Sequence, residues 1–138
     1  MKHYKINKDW NAQPNVPLPK VKVFGNAVQL EFVLNHYLYK KFKQGQKGLL
    51  KFKDCYMYRL GAVNDHGFYL GQFRYGPDEM PWGEFYELTE SDWKENFPQD
   101  RVVVDETLED RKDLKHYLFF FRDETFECIA REFKFEYS

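Results

Sequence analysis

Cysteine is nearly absent from this 138-residue chain, and the two that occur, Cys55 and Cys128, lie far apart. That excludes a disulfide-stapled scaffold and leaves no CxxC pair for a zinc knuckle, so both thiols are expected to be buried, reduced, small apolar groups. Charge of one sign is lacking too. Lys and Arg number 21 against 22 Asp and Glu, a net charge of -1, so no global field gathers phosphates or anionic lipid, and neither nucleic acid nor membrane is an expected partner. No apolar run approaches the roughly 20 residues of a bilayer span. The start, Met1-Lys2-His3-Tyr4-Lys5, has no apolar signal core, and the expected location is cytoplasmic. GxSxG, P-loop and GxGxxG motifs are missing. His3, His36, His66 and His116 have no His, Cys, Asp or Glu at a metal-ligand spacing, so neither a metal nor a cofactor is expected.

What the chain has is aromatic area. Phe, Tyr and Trp make up 20% of it, and each ring buries enough surface that a modest number fills a core. A chain this long supports one sizeable core without covalent staples, which predicts a single domain over 1–138. Pro14, Pro17 and Pro19 exclude a regular helix or central strand in residues 1–20, read as an arm packed on or flanking the domain.

The rest reads as hairpins. Val21 to Phe24, Gly25-Asn26 and Ala27 to Val33 form one, with Gly first in a two-residue loop. Pairing Phe24 with Ala27 puts Val21, Val23, Val28, Leu30 and Phe32 on a core face and Lys22, Gln29 and Glu31 on a wet face. Leu34 to Lys43 suits either a short helix or an irregular strand. Strands are expected at Leu49 to Phe52 and Cys55 to Ala62, the latter turning at Asn64 to Gly67 into Phe68 to Tyr75. Another is expected at Glu84 to Leu88, a short helix from Asp92, and a brief strand at Arg101 to Val104.

The C-terminal hairpin is the clearest. His116 to Arg122 and Thr125 to Arg131, joined through Asp123-Glu124, place Phe121 against Phe126, Phe119 against Cys128 and Tyr117 against Ala130 on a core face. The other face pairs Phe120 with Glu127 and His116 with Arg131 and is mixed. Beyond Ala130 the apolar parity shifts, which a β-bulge near Arg131 or Glu132 explains. The expected class is α+β: a mostly antiparallel, curved, hairpin-rich sheet of about six to eight strands, closed as far as a partial barrel, with one or two short helices.

Four constellations carry chemistry. Glu127 stands among Phe126, Cys128 and Ile129, and a carboxylate desolvated there has the environment of a general acid or base; the plainer reading is an ion pair with Arg122 diagonally across the hairpin. His116, beside Arg131, is the histidine best placed as a switch; the plainer reading is a partly exposed packing residue at a strand start. Tyr75, Met80, Trp82, Glu84 and Tyr86, with Tyr58 on a neighbouring strand, supply aromatics and Met with a polar rim, the residues that anchor partners; Trp82 as a lid on the core is the competing reading. Tyr37 to Lys43 with Lys47, Lys51 and Lys53 interleaves rings and lysines, a pattern better explained by a solvated strand face than by a single-strand nucleic-acid platform. The expected function is non-catalytic binding of a protein partner or a second copy, as for a small bacterial immunity- or adaptor-type protein. The alternative is a cup that holds a small apolar or aromatic molecule and acts on it through Glu127 and His116.

Overall fold

The computed structural model describes residues 2–62, 83–89, 114–121 and 124–137. They form nine strands: β1 (Lys2–Lys5), β2 (Lys20–Phe24), β3 (Ala27–Val33), β4 (Lys47–Lys53), β5 (Met57–Ala62), β6 (Phe85–Thr89), β7 (Lys115–Phe120), β8 (Glu124–Ala130) and β9 (Glu132–Tyr137). All pairings are antiparallel, in a five-stranded sheet of order β1-β6-β7-β8-β5 and a four-stranded sheet of order β2-β3-β4-β9. Neither sheet closes, and the described residues contain no helix, so the class is all-β and not the α+β class that the sequence suggests. None of them forms a helix long and apolar enough to cross a membrane.

Period-two alternation builds the four-stranded sheet. Val28, Leu30 and Phe32 of β3 and Leu50 and Phe52 of β4 are fully buried, and the residues between them are half-buried or exposed. Gly48 completes the inward row, because a Cβ there would stand 3.0 Å from Leu34, Phe135 and Phe32 at once. The inward rings meet those of the five-stranded sheet. Phe52 lies 5.4–5.9 Å from Phe85, Tyr117 and Phe126, and Phe32 lies 5.0 Å from Phe119. From the N-terminal arm Trp10 enters this core and stacks flat on Phe135, with centroids 4.0 Å apart and planes 3° apart.

Several expectations fare differently. The β2–β3 register is the one expected, with Phe24 opposite Ala27. In β7–β8 the faces are those expected but the register is shifted by two: Phe119 faces Phe126, Tyr117 faces Cys128 and Leu118 faces Glu127. The reason is Phe121. It does not pair with Phe126 but folds into the core, 1% exposed, stacked 4.4 Å from Phe119, and its N–H donates to the carbonyl of Glu124. The parity change after Ala130 is no bulge within a sheet: at Arg131 the chain crosses from the five-stranded to the four-stranded sheet, and a bend between sheets resets the alternation as a bulge does. Leu34 to Lys43 is neither helix nor strand but a series of turns. The Asn35 side-chain oxygen accepts from the N–H groups of Tyr37 and Leu38 and its carbonyl from the Tyr39 N–H, the bonding of a capped first helical turn that the chain does not continue. The expected helix from Asp92 and the strands Phe68 to Tyr75 and Arg101 to Val104 lie outside the described residues.

Candidate functional site

Alternation along β7 and β8 sends His116, Leu118 and Phe120, and Thr125, Glu127 and Ile129, to the face of the five-stranded sheet turned away from the aromatic core. That face is sealed all the same. His116 is 1% and Glu127 0% exposed, and their side chains meet, His116 Nε2 lying 2.9 Å from Glu127 Oε2. The contact is diagonal, because His116 faces Ile129 and Glu127 faces Leu118. Such diagonals lie within reach of long side chains. Among the described residues the side chain that meets Glu127 diagonally is His116; Arg122, the partner that the sequence suggests, lies outside the described residues.

Other polar groups share this face. Register puts Arg59 of β5 directly opposite Glu127, Tyr86 of β6 opposite Leu118, and His3 of β1 opposite Leu88. The His3 ring meets Tyr86 edge-on at 5.7 Å. Burial, aided by the nearby Glu84 carboxylate, raises the Tyr86 phenol well above its ordinary value. A His, a Glu, an Arg and a Tyr gathered on adjacent strands have the composition of an acid–base site, but the His–Glu pair has no path to solvent in its own exposure. The depressions lined by described residues lie elsewhere: over β4 and β9, at the turn Lys41 to Gln46, and where residues 15–19 pass Phe121.

Glu84 and Tyr86, expected in a contact loop, are buried at 8% and 2% exposure. Glu84 ties the N-terminal arm to the head of β6. Its carboxylate accepts from Asn7 Nδ2 at 2.5 Å and Asn11 Nδ2 at 2.7 Å, with Lys5 Nζ at 3.4 Å, and Asn7 Oδ1 accepts from the Phe85 N–H. Charge-assisted bonds of this kind are the stronger class. Nothing in the local sequence signals this clamp, since its halves stand more than 70 residues apart. Tyr58 is half-buried against Phe126. Tyr75, Met80 and Trp82 lie outside the described residues, as does His66.

The two cysteines are free and buried, and they meet: desolvation above all, and a hydrogen bond to Cys55, push the Cys128 thiol well up, so it is no nucleophile. Among the described residues no group of three His, Cys, Asp or Glu side chains is arranged to hold a metal ion.

Large apolar side chains do reach solvent on the other sheet and its turns. Val23 and Phe24 of β2 are 46% and 55% exposed, and Tyr37 and Leu38 of the turn after β3 are 54% and 62% exposed. Lysines accompany both pairs: Lys20 and Lys22 on β2, and Lys40, Lys41 and Lys43 in the turn. Lys41 lies over the Phe42 and Tyr137 rings. The lysines of the sheet interior are instead paired, Lys47 with Glu31, Lys51 with Glu136 and Lys53 with Glu132. No protein-family model, no curated protein and no solved structure matches the chain.

Proposed function

We propose that this chain is a non-catalytic binding protein whose partner is another protein or a second copy of itself, in the manner of a small immunity- or adaptor-type protein. One observation carries the reading: the His116–Glu127 pair is sealed, at 1% and 0% exposure, whereas half-exposed apolar side chains stand beside lysines at Val23, Phe24, Tyr37 and Leu38. Apolar anchors inside a polar rim are what protein interfaces use. Tyr75, Met80 and Trp82 join the contact set by their chemistry, with half-buried Tyr58; Glu84 and Tyr86 contribute by fixing the chain at the head of β6.

Native mass spectrometry of the chain purified from its source tests this. A stoichiometric protein complex or a defined multiple of the chain's own mass is expected, and Tyr37→Ser with Leu38→Ser should weaken it at unchanged Tm. A bare monomer under all conditions refutes the reading.

The 2.9 Å contact of His116 with Glu127 favours one second reading, a ligand cup that acts on a small apolar or aromatic molecule through that pair. A non-covalent small-molecule mass on the monomer, with turnover that Glu127→Gln abolishes at unchanged stability, would establish it in place of the first.

A further inference from the structure

The binding reading can be carried to one surface, the free edge of β2, and this step rests on that reading. Among the described residues β2 has a single neighbour in its sheet, and four of its five residues are exposed. The direction of its unused backbone groups follows from the residues at the end of β3. Val33 N–H donates to the Pro17 carbonyl on the β2 side, and Leu34 N–H donates to the Gln46 carbonyl on the β4 side. Odd residues of β3 therefore bond toward β2 and even ones toward β4, since antiparallel ladders alternate. Val21 and Val23 face Leu30 and Val28, even residues. Their N–H and C=O groups point outward, to the open edge.

The side chains along this edge are chemically two-sided. Val21 and Val23 lie on the core side of the sheet, where Val23 is 46% exposed, and Lys20 and Lys22 lie on the outer side with Phe24. Among the described residues no ion pair engages either lysine, although every lysine of β4 has a carboxylate within 4.0 Å. The opposite edge, β9, is unlike it: Glu132 and Glu136 are paired with Lys53 and Lys51, and Lys134 with Glu136.

We propose that the β2 edge receives an extended segment of a partner protein in which acidic and apolar residues alternate, added as a fifth antiparallel strand. Backbone bonds to Val21 and Val23 supply the register, apolar side chains continue the inner row, and carboxylates meet Lys20 and Lys22. The same lysines disfavour a second copy in the registers that bring them together. A β2–β2 pair centred on Lys22 or on Val21 sets lysine against lysine, a repulsive arrangement that also guards natural edges.

The probe is a synthetic peptide alternating Glu and Val over seven residues, titrated into the intact chain and followed by amide chemical shifts. Saturable shifts confined to β2 and its immediate neighbours are expected. Lys20→Glu with Lys22→Glu should weaken binding of this peptide at least tenfold and admit the corresponding Lys/Val peptide, at unchanged Tm. Val23→Pro, which removes an outward N–H that β3 does not use, should also weaken it. The proposal falls if the peptide gives no saturable shift, if the shifts map elsewhere, or if the charge reversal leaves affinity unchanged. It falls in favour of a second copy if sedimentation shows a dimer that Val23→Pro dissociates. Failure here beside an intact complex in the native mass spectrum removes the β2 assignment alone; a bare monomer there removes the binding reading itself.

Discussion

The two sheets bury their faces differently. In the four-stranded sheet β3 and β4 bury one face, and the other carries Lys47, Lys51 and Lys53 alternating with inward Gly48, Leu50 and Phe52. In the five-stranded sheet the central hairpin is buried on both faces: every residue of β7 after Lys115 and every residue of β8 after Glu124 is sealed. A polar group has a different meaning in each. On the wet face it is solvated and its ion pairs are marginal. In β7–β8 a polar group must find a partner inside the protein or destabilise the fold, which is why His116 and Glu127 are found together.

The sharpest way to break this comparison is to remove one member of that pair. Glu127→Ala is expected to cost about 3–5 kcal/mol, the range for deleting one partner of a buried pair, measured by urea unfolding. The double variant His116→Phe with Glu127→Leu should recover most of that loss, because two apolar groups leave no stranded donor or acceptor. A single variant within experimental error of the parent would mean that this face is open to water, and the structural reading of the pair would fail.

The same difference decides what could be read from the residues. Where one face is wet, polarity marks every second position, and the β2–β3 hairpin is legible to its register: Val21 faces Leu30 and Val23 faces Val28 as the alternation requires. In β7–β8 both faces are dry. Face parity is still legible, because Tyr117, Phe119, Cys128 and Ala130 share the core side, but register then depends on the loop, and Phe121 lengthens it by entering the core. That two-residue slip changes no face, yet it brings His116 to the diagonal position beside Glu127. The candidate site was legible as two residues of interest and illegible as a pair. The Asn7, Asn11 and Glu84 clamp had no local signal at all, since what unites it is the docking of the arm. At Leu34 to Lys43 the apolar spacing suited a helix, and the chain makes only a single turn there, capped by Asn35.

A second test asks whether both sides of the five-stranded sheet are equally closed. Tyr117 faces the aromatic core and Tyr86 the opposite side, and burial, reinforced by neighbouring carboxylates and, for Tyr117, by Cys128, raises both phenols well above their ordinary value of 10.0. A raised phenol favours the protonated form in the folded state. Its contribution to stability is therefore complete below about pH 10 and lost as the pH climbs beyond it. Phenolate absorbance in the folded chain should account for the exposed tyrosines first, with Tyr86 and Tyr117 ionising only on unfolding. Tyr117→Phe and Tyr86→Phe should each flatten the alkaline fall in stability. If only Tyr117→Phe does so, the outer face is the leakier one.

The smallest effect belongs to the wet face and tests the other half of the contrast. Lys47 Nζ lies 3.4 Å from Glu31 Oε1, with the two side chains 53% and 36% exposed. Water already solvates both charges, and holding two long side chains in one geometry costs entropy, so Lys47→Ala should change stability by less than about 1 kcal/mol and by still less at high salt. The comparison with Glu127→Ala then sets a sealed Glu–His contact of 2.9 Å against an exposed Glu–Lys contact of 3.4 Å in one protein. A loss above about 2 kcal/mol at Lys47 would exceed anything expected of an exposed pair. It would show that the lysine side of the four-stranded sheet is covered, and with it the assumption that Lys20 and Lys22 at the β2 edge stand ready for a partner's carboxylates would lose its physical basis.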